Sequence, residues 1–145
     1  MVDMIELVNI CGKMFDPEKT RVLNLDKYGL SNIPINILKL TKLESLSICY
    51  NKIKNIDILF GLPNLKKLYC YANRITSINY LPLSLELLDC GRNNIISIDN
   101  LPFGLKYLDC EKNKIKKIEN LPIFLECLFS GVSEKILPPF INVFN

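Results

Sequence analysis

The sequence predicts a curved solenoid of the α/β class, a right-handed coil with a parallel concave β-sheet and a mostly extended or 3₁₀ convex side. Three observations support this prediction: leucines recur every 20 residues, each unit contains one short stretch of alternating apolar residues, and a Leu-Pro pair closes each later unit. A unit of this size buries its apolar face only against its neighbours, so regular repeats stack and share one core.

The repeat keeps leucine, asparagine and isoleucine in phase across most of the chain. The clearest positions are Leu65, Leu85, Leu105 and Leu125, then Asn73, Asn93 and Asn113, and then Ile75, Ile95 and Ile115. Together they give the pattern L-x-x-L-x-[LC]-x-x-N-x-I-x-x-I-x-x-L-P. We therefore predict an N-terminal cap over 1–19, repeats over 20–130 and a C-terminal cap or tail over 131–145, with repeat units near 20–42, 43–64, 65–84, 85–104 and 105–124 and a partial unit at 125–130.

The elements within one unit follow from residue chemistry. In "LKYLDC", alternation puts Leu108 and Cys110 on one face and Tyr107 and Asp109 on the other, which predicts a short strand. The asparagine after each strand turns the chain, and its amide satisfies backbone groups of the turn and of the next coil. The Leu-Pro pair favours an extended return segment. We expect a helical turn only in the longer first units, around residues 35–41.

The cysteines that recur with the repeat occupy an inward position of the strand. Cys70, Cys90 and Cys110 stand where earlier units carry Leu25 and Ile48, so we interpret the position as a packing site for a small hydrophobe. A metal or redox role is the alternative, but three thiols in a chain without histidine serve a tetrahedral zinc site poorly. We predict no metal site and no cofactor.

Composition and charge exclude several classes of function. The chain has no histidine, which rules out Ser-His, Cys-His and His-metal chemistry within it. Its net charge of +3 is too balanced to indicate nucleic acid, and the lysines of 112–117 are solvated neighbours of repeat positions. Asp3 and Glu6 stand where a secretory signal carries basic residues, and no apolar run reaches the roughly 18 residues of a membrane span. We therefore expect a cytoplasmic protein that binds neither nucleic acid nor membrane.

Function in such a solenoid depends on side chains that the repeat does not dictate, namely the outward strand residues and the two residues after each strand. Five of the 13 Phe and Tyr residues fall at these positions, and tyrosine is enriched at binding hot spots. We predict that a protein partner binds this concave face through Tyr50, Lys67, Tyr69, Tyr71, Leu87, Asp89, Arg92, Tyr107, Asp109, Glu111 and Phe129. The alternative is that these are solvated strand residues with weak cross-strand pairing. Asp89 and Asp109 approach across neighbouring strands, but without a pocket or a third group they predict no enzyme and no catalytic residue.

The repeat resembles the leucine-rich repeat over about residues 20–130. Cysteine stands in the inward position and lysine, isoleucine and asparagine are abundant, as in "YLDCEKNKIKKIENLP". In these features the chain is similar to the short-repeat leucine-rich repeat proteins of giant amoeba-infecting DNA viruses and, more distantly, to bacterial secreted leucine-rich repeat effectors. The resemblance implies a non-catalytic protein–protein interaction module without a cofactor. A viral origin would place it in the host cytoplasm, free or associated with the virion, with a host or viral protein as partner.

Two further hypotheses remain open. In the first, the chain is a structural or assembly component, for example of a viral particle, that docks through its convex side or its apolar C-terminal tail. The tail would also support self-association through its apolar residues, among them Ile136, Leu137, Phe140 and Ile141. In the second, the chain is a thiol-dependent device, for which Cys49 and Cys127 are the cysteines predicted to be accessible.

Overall fold

The computed structural model describes residues 6–118, 120–131 and 142–144, the last three as backbone. Within these residues the chain forms nine short strands and two 3₁₀ helices. The strands are β1 (Val8–Ile10), β2 (Lys13–Phe15), β3 (Val22–Asn24), β4 (Ser45–Ser47), β5 (Lys67–Tyr69), β6 (Leu87–Asp89), β7 (Tyr107–Asp109), β8 (Cys127–Phe129) and β9 (Asn142–Phe144).

The strands from β3 to β9 build one parallel sheet in sequence order. Leu68 of β5 pairs with Leu46 on one side and with Leu88 on the other, so equivalent residues of successive units stand side by side. Each unit contributes one strand and then returns across the other side of the core. The parallel solenoid predicted from the 20-residue period is confirmed.

The inward side chains of the sheet form the core together with apolar residues of the return segments. In one central unit, Leu85, Leu88, Cys90 and Ile95 are all 0% exposed. Full burial of one leucine side chain contributes about 2 kcal/mol of transfer free energy. Because the neighbouring units cover these side chains, stability is shared along the coil and does not reside in any one repeat.

A ladder of asparagines links each unit to the next. The amide of Asn93 donates to the carbonyl oxygens of Cys90 (3.0 Å) and Gly91 (3.2 Å), and to that of Cys70 in the preceding unit (3.1 Å). Its Oδ1 accepts from the backbone N–H of Ile75 at 2.9 Å. The same set of bonds recurs at Asn51, Asn73 and Asn113. The backbone role predicted for these asparagines is confirmed.

The longer first units place a 3₁₀ helix on the return side. These helices span Ile35–Lys39 and Asp57–Gly61 and bury Ile37 and Leu59 respectively. Units of 20 residues leave no room for such a helix, and there the chain turns at the Leu-Pro pair; in one unit the N–H of Leu85 donates to the Pro82 carbonyl at 3.1 Å. The expectation of 3₁₀ or extended return segments is confirmed.

A β-hairpin precedes the repeats. β1 and β2 pair antiparallel. The turn residues Cys11 and Gly12 have φ values of 51° and 81°, and a two-residue hairpin turn of type I′ requires positive φ at both positions. The Oδ1 of Asn9 accepts from the N–H of Gly12 at 3.0 Å. Val8 and Ile10 belong to the hydrophobic core. Apolar spacing alone left helix and strand open for this segment, and the structure forms strands.

The sheet continues into the segment predicted as a C-terminal cap or tail. Cys127 of β8 pairs with Asn142 of β9, which adds a further parallel strand after a shorter interval than the 20-residue repeat. The apolar residues between them, from Ile136 to Ile141, lie outside the described residues. The domain boundaries and the docking role of the tail therefore stay predictions.

Candidate functional site

The predicted site residues lie along the outward side of the sheet. We call this side the concave face; it comprises the outward side chains of β3–β8 and the second and third residues after each strand. Parallel pairing sets the predicted residues in rows: Lys67, Leu87 and Tyr107 where strands begin; Tyr69, Asp89, Asp109 and Phe129 where strands end; Tyr71 and Glu111 two residues later; and Tyr50 and Arg92 at the last position. The structure thus gathers all of them on one face, and the binding of a partner there stays a prediction.

Two aromatic pairs lie on the concave face. The ring centroids of Tyr50 and Tyr71 are 5.5 Å apart in an edge-on arrangement, and those of Tyr107 and Phe129 are 5.7 Å apart at an interplanar angle of 46°. The Nζ of Lys27 lies 5.4 Å from the centroid of the Tyr50 ring. Aromatic side chains offer large contact area and lose little rotamer freedom when they bind. The two pairs are therefore candidate anchors for a partner.

Gly91 makes room for one of these rings. A Cβ at position 91 would lie 3.0 Å from Cδ2 of Tyr71 and 3.2 Å from Oδ1 of Asp109. The Tyr71 ring and the Asp109 carboxylate thus approach each other over a residue without a side chain. Any larger residue at 91 would displace one or both of them.

Asp89 and Asp109 stand side by side in the sheet register. Each Oδ1 accepts from the backbone N–H two residues later, that of Gly91 at 3.2 Å and that of Glu111 at 3.0 Å. Burial raises the pKa of both carboxyls, and the charge of Asp109 raises the pKa of Asp89 further. Lys112 lowers the pKa of Asp109 only as a smaller effect. Within the described residues neither carboxylate belongs to an ion pair, and Lys112 compensates the charge of Asp109 only in part.

A row of ion pairs lies just before the strands, beside the concave face. Lys67 and Tyr69 line a shallow cavity of about 290 Å³ with Arg21, Glu44 and Lys66. The Glu44 carboxylate pairs with Arg21 at 3.8 Å and with Lys66 at 3.6 Å. Lys106 and Glu86 continue this row at 3.2 Å, so ion pairs precede the strands from β3 to β7, and the two aspartates of β6 and β7 belong to none of them.

The last residue of the concave face has a left-handed backbone in successive units. Five non-glycine residues with φ between 53° and 61° occupy this position: Lys27, Tyr50, Ala72, Arg92 and Lys112. This conformation costs a residue with a Cβ about 1 kcal/mol. The asparagine that follows four of them offsets part of this cost, because its amide bonds hold the turn.

Two sets of contacts on the concave face were not predicted from the sequence. The Oδ1 of Asp26 accepts from the hydroxyl of Ser47 at 2.6 Å and from the backbone N–H of Cys49 at 2.7 Å. The second is the approach of Tyr71 to Gly91. The sequence carried a signal for both. The contacts of Asp26 join polar residues at neighbouring positions of adjacent units, and Gly91 is a single glycine in a row of larger residues.

Comparison with known proteins identifies the repeat. A family model described as leucine-rich repeats, in two copies, matches residues 41–83. The functional domain of InlJ from Listeria monocytogenes, which includes a cysteine ladder, superposes with a TM-score of 0.65 and 26% identity, covering 76% of this chain and 25% of that one. The chain has the fold of a leucine-rich-repeat solenoid, and residues 41–83 match the repeat family itself.

Two further proteins are similar to parts of this chain. Osteomodulin from Bos taurus is 33% identical over 89 residues, which is 56% of this chain and 21% of osteomodulin. The internalin InlF of Listeria monocytogenes superposes with a TM-score of 0.60 at 24% identity, over 81% of this chain and 44% of that one, and supports the fold alone. The chain therefore spans between 21% and 44% of the length of these three proteins. Leucine-rich repeats of this kind are generally non-catalytic and generally mediate protein–protein interaction.

The recurrent cysteines of these leucine-rich repeats are buried, as predicted. Cys70, Cys90 and Cys110 are 0% exposed and carry free thiols. Burial raises the pKa of the Cys110 thiol to about 12 and raises the pKa of Cys70 and Cys90 well above the ordinary value. All three are therefore protonated at neutral pH and pack as apolar groups. Among the residues that the structure describes, no group of three or more metal-binding side chains is placed to hold an ion.

The two cysteines of the concave face are partly exposed, also as predicted. Burial raises the pKa of Cys49 and, over a smaller buried fraction, that of Cys127. A raised pKa leaves less thiolate at neutral pH, and thiolate is the reactive form. Neither cysteine thus has the environment of an activated nucleophile. No helix in the described ranges has the length and apolar character needed to cross a membrane.

Proposed function

We propose that the chain is a non-catalytic recognition module that binds a protein partner through its concave face, in the cytoplasm. Support comes from the contrast between the two sides of the same strands. Inward positions repeat one residue type from unit to unit, as at Leu68, Leu88 and Leu108, whereas the outward row beside them reads Lys67, Leu87 and Tyr107. Packing requires the first row and makes no demand on the second.

The observation that carries the proposal is the carboxylate pair of Asp89 and Asp109 beside the aromatic pairs. Burial raises both pKa values, so at neutral pH the fold holds two charges where they are less favourable than in the unfolded chain. Groups that lower stability at an accessible position are typical of binding sites. We expect the partner to present a lysine or arginine beside apolar groups, because such a side chain pairs with carboxylates and packs on aromatic faces.

The test is capture of partners from a cell lysate by three immobilised forms of the chain. The first is the wild type. The second replaces three concave-face rings, Tyr69→Ser, Tyr71→Ser and Tyr107→Ser. The third is a matched control with three exposed apolar side chains outside that face, Phe60→Ser, Tyr80→Ser and Ile96→Ser, whose exposures are 54%, 61% and 66%. Circular dichroism establishes that all three forms are folded.

We expect one or more proteins to be retained by the wild type and by the control and to be lost from the concave-face variant. Retention should weaken as salt is raised from about 0.05 to 0.5 M, because the expected pairing is electrostatic and is screened. Equal retention by the concave-face variant would contradict the proposal. That result would indicate that the partner binds outside the concave face, for example on the convex side.

A further inference from the structure

A row of exposed apolar side chains runs along the edge of the sheet where the strands begin. Leu83, Phe103 and Ile123 each follow the proline of a Leu-Pro pair and are 77%, 66% and 77% exposed. Their turns are alike: Leu85 donates to the Pro82 carbonyl at 3.1 Å, and the two following units repeat this bond at 3.0 Å. The strands that follow are in register, so the three side chains stack on successive rungs about 4.8 Å apart.

A fourth side chain widens this row. The rings of Phe103 and Phe124 meet at right angles with centroids 5.2 Å apart, and Phe124 is 52% exposed. We call Leu83, Phe103, Ile123 and Phe124 the apolar ridge. The preceding unit has Asn64 at the ridge position, and its amide donates to the Thr41 carbonyl at 2.8 Å. The ridge is thus confined to the later units.

From this geometry we infer that two copies of the chain associate through the apolar ridge about a two-fold axis. Single exposed apolar side chains are ordinary, but a contiguous row of them marks an interaction surface. Taking roughly 200 Å² for each large side chain, the four leave on the order of 500 Å² exposed. Two ridges in contact would bury about 1,000 Å², which is the lower limit for a specific interface.

The order of residues along the ridge selects a second copy as the occupant. An aliphatic residue lies on each side of the central Phe103, so the row is the same in either direction. A two-fold axis through this rung sets Leu83 against the partner's Ile123, and Phe103 against the partner's Phe103. The same axis sets the bulky Phe124 opposite the partner's Ser84, where a small residue leaves space. Such self-complementarity is what a closed dimer interface requires.

The inferred dimer is separate from the proposed recognition function. The ridge residues precede their strands by four positions, or by three for Phe124, whereas the concave face starts at the first outward residue of the strand. Association through the ridge therefore leaves the concave face of each copy open. The pair would present two such faces to partners.

Sedimentation equilibrium of the full chain tests this inference. An interface near the lower size limit implies weak association, so concentrations from about 1 to 500 µM are needed. The ridge variant carries Leu83→Ser and Phe103→Ser. The matched control carries Ile35→Ser and Ile96→Ser, whose side chains are 65% and 66% exposed but lie off the ridge. We expect the wild type and the control to approach twice the 16.6 kDa mass of one chain, and the ridge variant to associate at least tenfold more weakly.

A cross-linking measurement locates the contact. In a background where Cys11, Cys49 and Cys127 are replaced by serine, a Gly104→Cys variant should form an intermolecular disulfide under mild oxidation, because the axis brings the two copies of residue 104 together and a Cβ there meets nothing within 4 Å. An Ile96→Cys variant should not. A wild type that stays monomeric at all concentrations overturns the inference. So does a ridge variant that associates like the wild type, or equal cross-linking at positions 96 and 104.

Discussion

The two sides of one strand show what the repeat determines and what it leaves free. On the inward side of β5, β6 and β7, the same leucine and cysteine recur in the same register, and all are fully buried. On the outward side the residues differ from rung to rung, apart from Asp89 and Asp109, and most are partly exposed. The inward side chains have the same surroundings in each unit, so the same residue types pack well in every unit. The outward side chains meet solvent or a partner, so each position is set separately.

The asparagine ladder should make the largest contribution per residue on the inward side. Asn93→Ala should lower the free energy of unfolding by about 4 kcal/mol, because it leaves the N–H of Ile75 without a partner at 1–3 kcal/mol. It also removes one of two donors from the carbonyls of Cys70, Cys90 and Gly91, at about 1 kcal/mol each. Urea denaturation measures the change. Asn94→Ala is the control, since the side chain of Asn94 makes no hydrogen bond within the described residues, and it should change stability by less than about 0.5 kcal/mol. Similar losses in the two variants would show that the ladder is not a main stabilising feature.

Adjacent leucines on opposite sides of β6 compare the two faces directly. Leu88 is 0% exposed whereas Leu87 is partly exposed. Leu88→Ala should destabilise the chain by about 3 kcal/mol through lost burial and a cavity that the neighbouring units do not fill. Leu87→Ala should cost less than about 1 kcal/mol. Both values come from urea titrations at low protein concentration, and a difference of less than 1 kcal/mol would contradict the assignment of the faces.

Much of the fold could be predicted from the sequence, because the inward residues carry the period. Leu65, Leu85 and Leu105 fix the spacing of the units, and Asn93 marks the end of a strand. The N-terminal hairpin could not be predicted, since it occurs once and its apolar spacing fits helix as well as strand. The seventh strand of the sheet was missed for a related reason, because the repeat has faded before Asn142.

The candidate site was predictable in position but not in its contacts. Alternation alone places Asp89 and Asp109 outward, and the 20-residue spacing makes them neighbours. Their hydrogen bonds to backbone N–H groups, and the approach of Tyr71 over Gly91, depend on side-chain conformations that no spacing encodes. The apolar ridge was visible in the sequence as three apolar residues 20 apart, Leu83, Phe103 and Ile123. Their exposure depends on the conformation of the turn after each Leu-Pro pair, which the sequence does not give.

The buried thiols predict a loss of stability at alkaline pH. A Cys70 thiol ionises near pH 8.5 in the unfolded chain, but its pKa in the folded chain is raised by burial. The unfolded state therefore releases the proton first, and stability falls as the pH rises above 8.5. Each thiol should contribute a loss of about 1 kcal/mol between pH 9 and pH 10.

Cys70→Val removes one such group at a position where an earlier unit carries Ile48, so the stability of the variant should fall less steeply with pH by that amount. Parallel pH dependences for the two proteins would show that Cys70 ionises alike in both states.

On the outward side, replacing Asp89 should change the free energy of unfolding only slightly, and it should raise it, whereas the inward substitutions lower it. Burial raises the pKa of Asp89 and the charge of Asp109 raises it further, so the contribution of this group is most favourable below about pH 4 and is lost as the pH rises through the folded pKa. Asp89→Asn keeps an oxygen to accept from the Gly91 N–H and removes the charge. It should raise the free energy of unfolding at pH 7 by about 0.5 kcal/mol or less, given the exposure of the group. The gain should vanish near pH 3, where Asp89 is itself neutral.

A variant that is more stable but no longer retains its partner would separate what the fold requires at this position from what binding requires. A loss of stability at pH 7 would mean that the carboxylate has a stabilising partner and that the charge is not free for recognition.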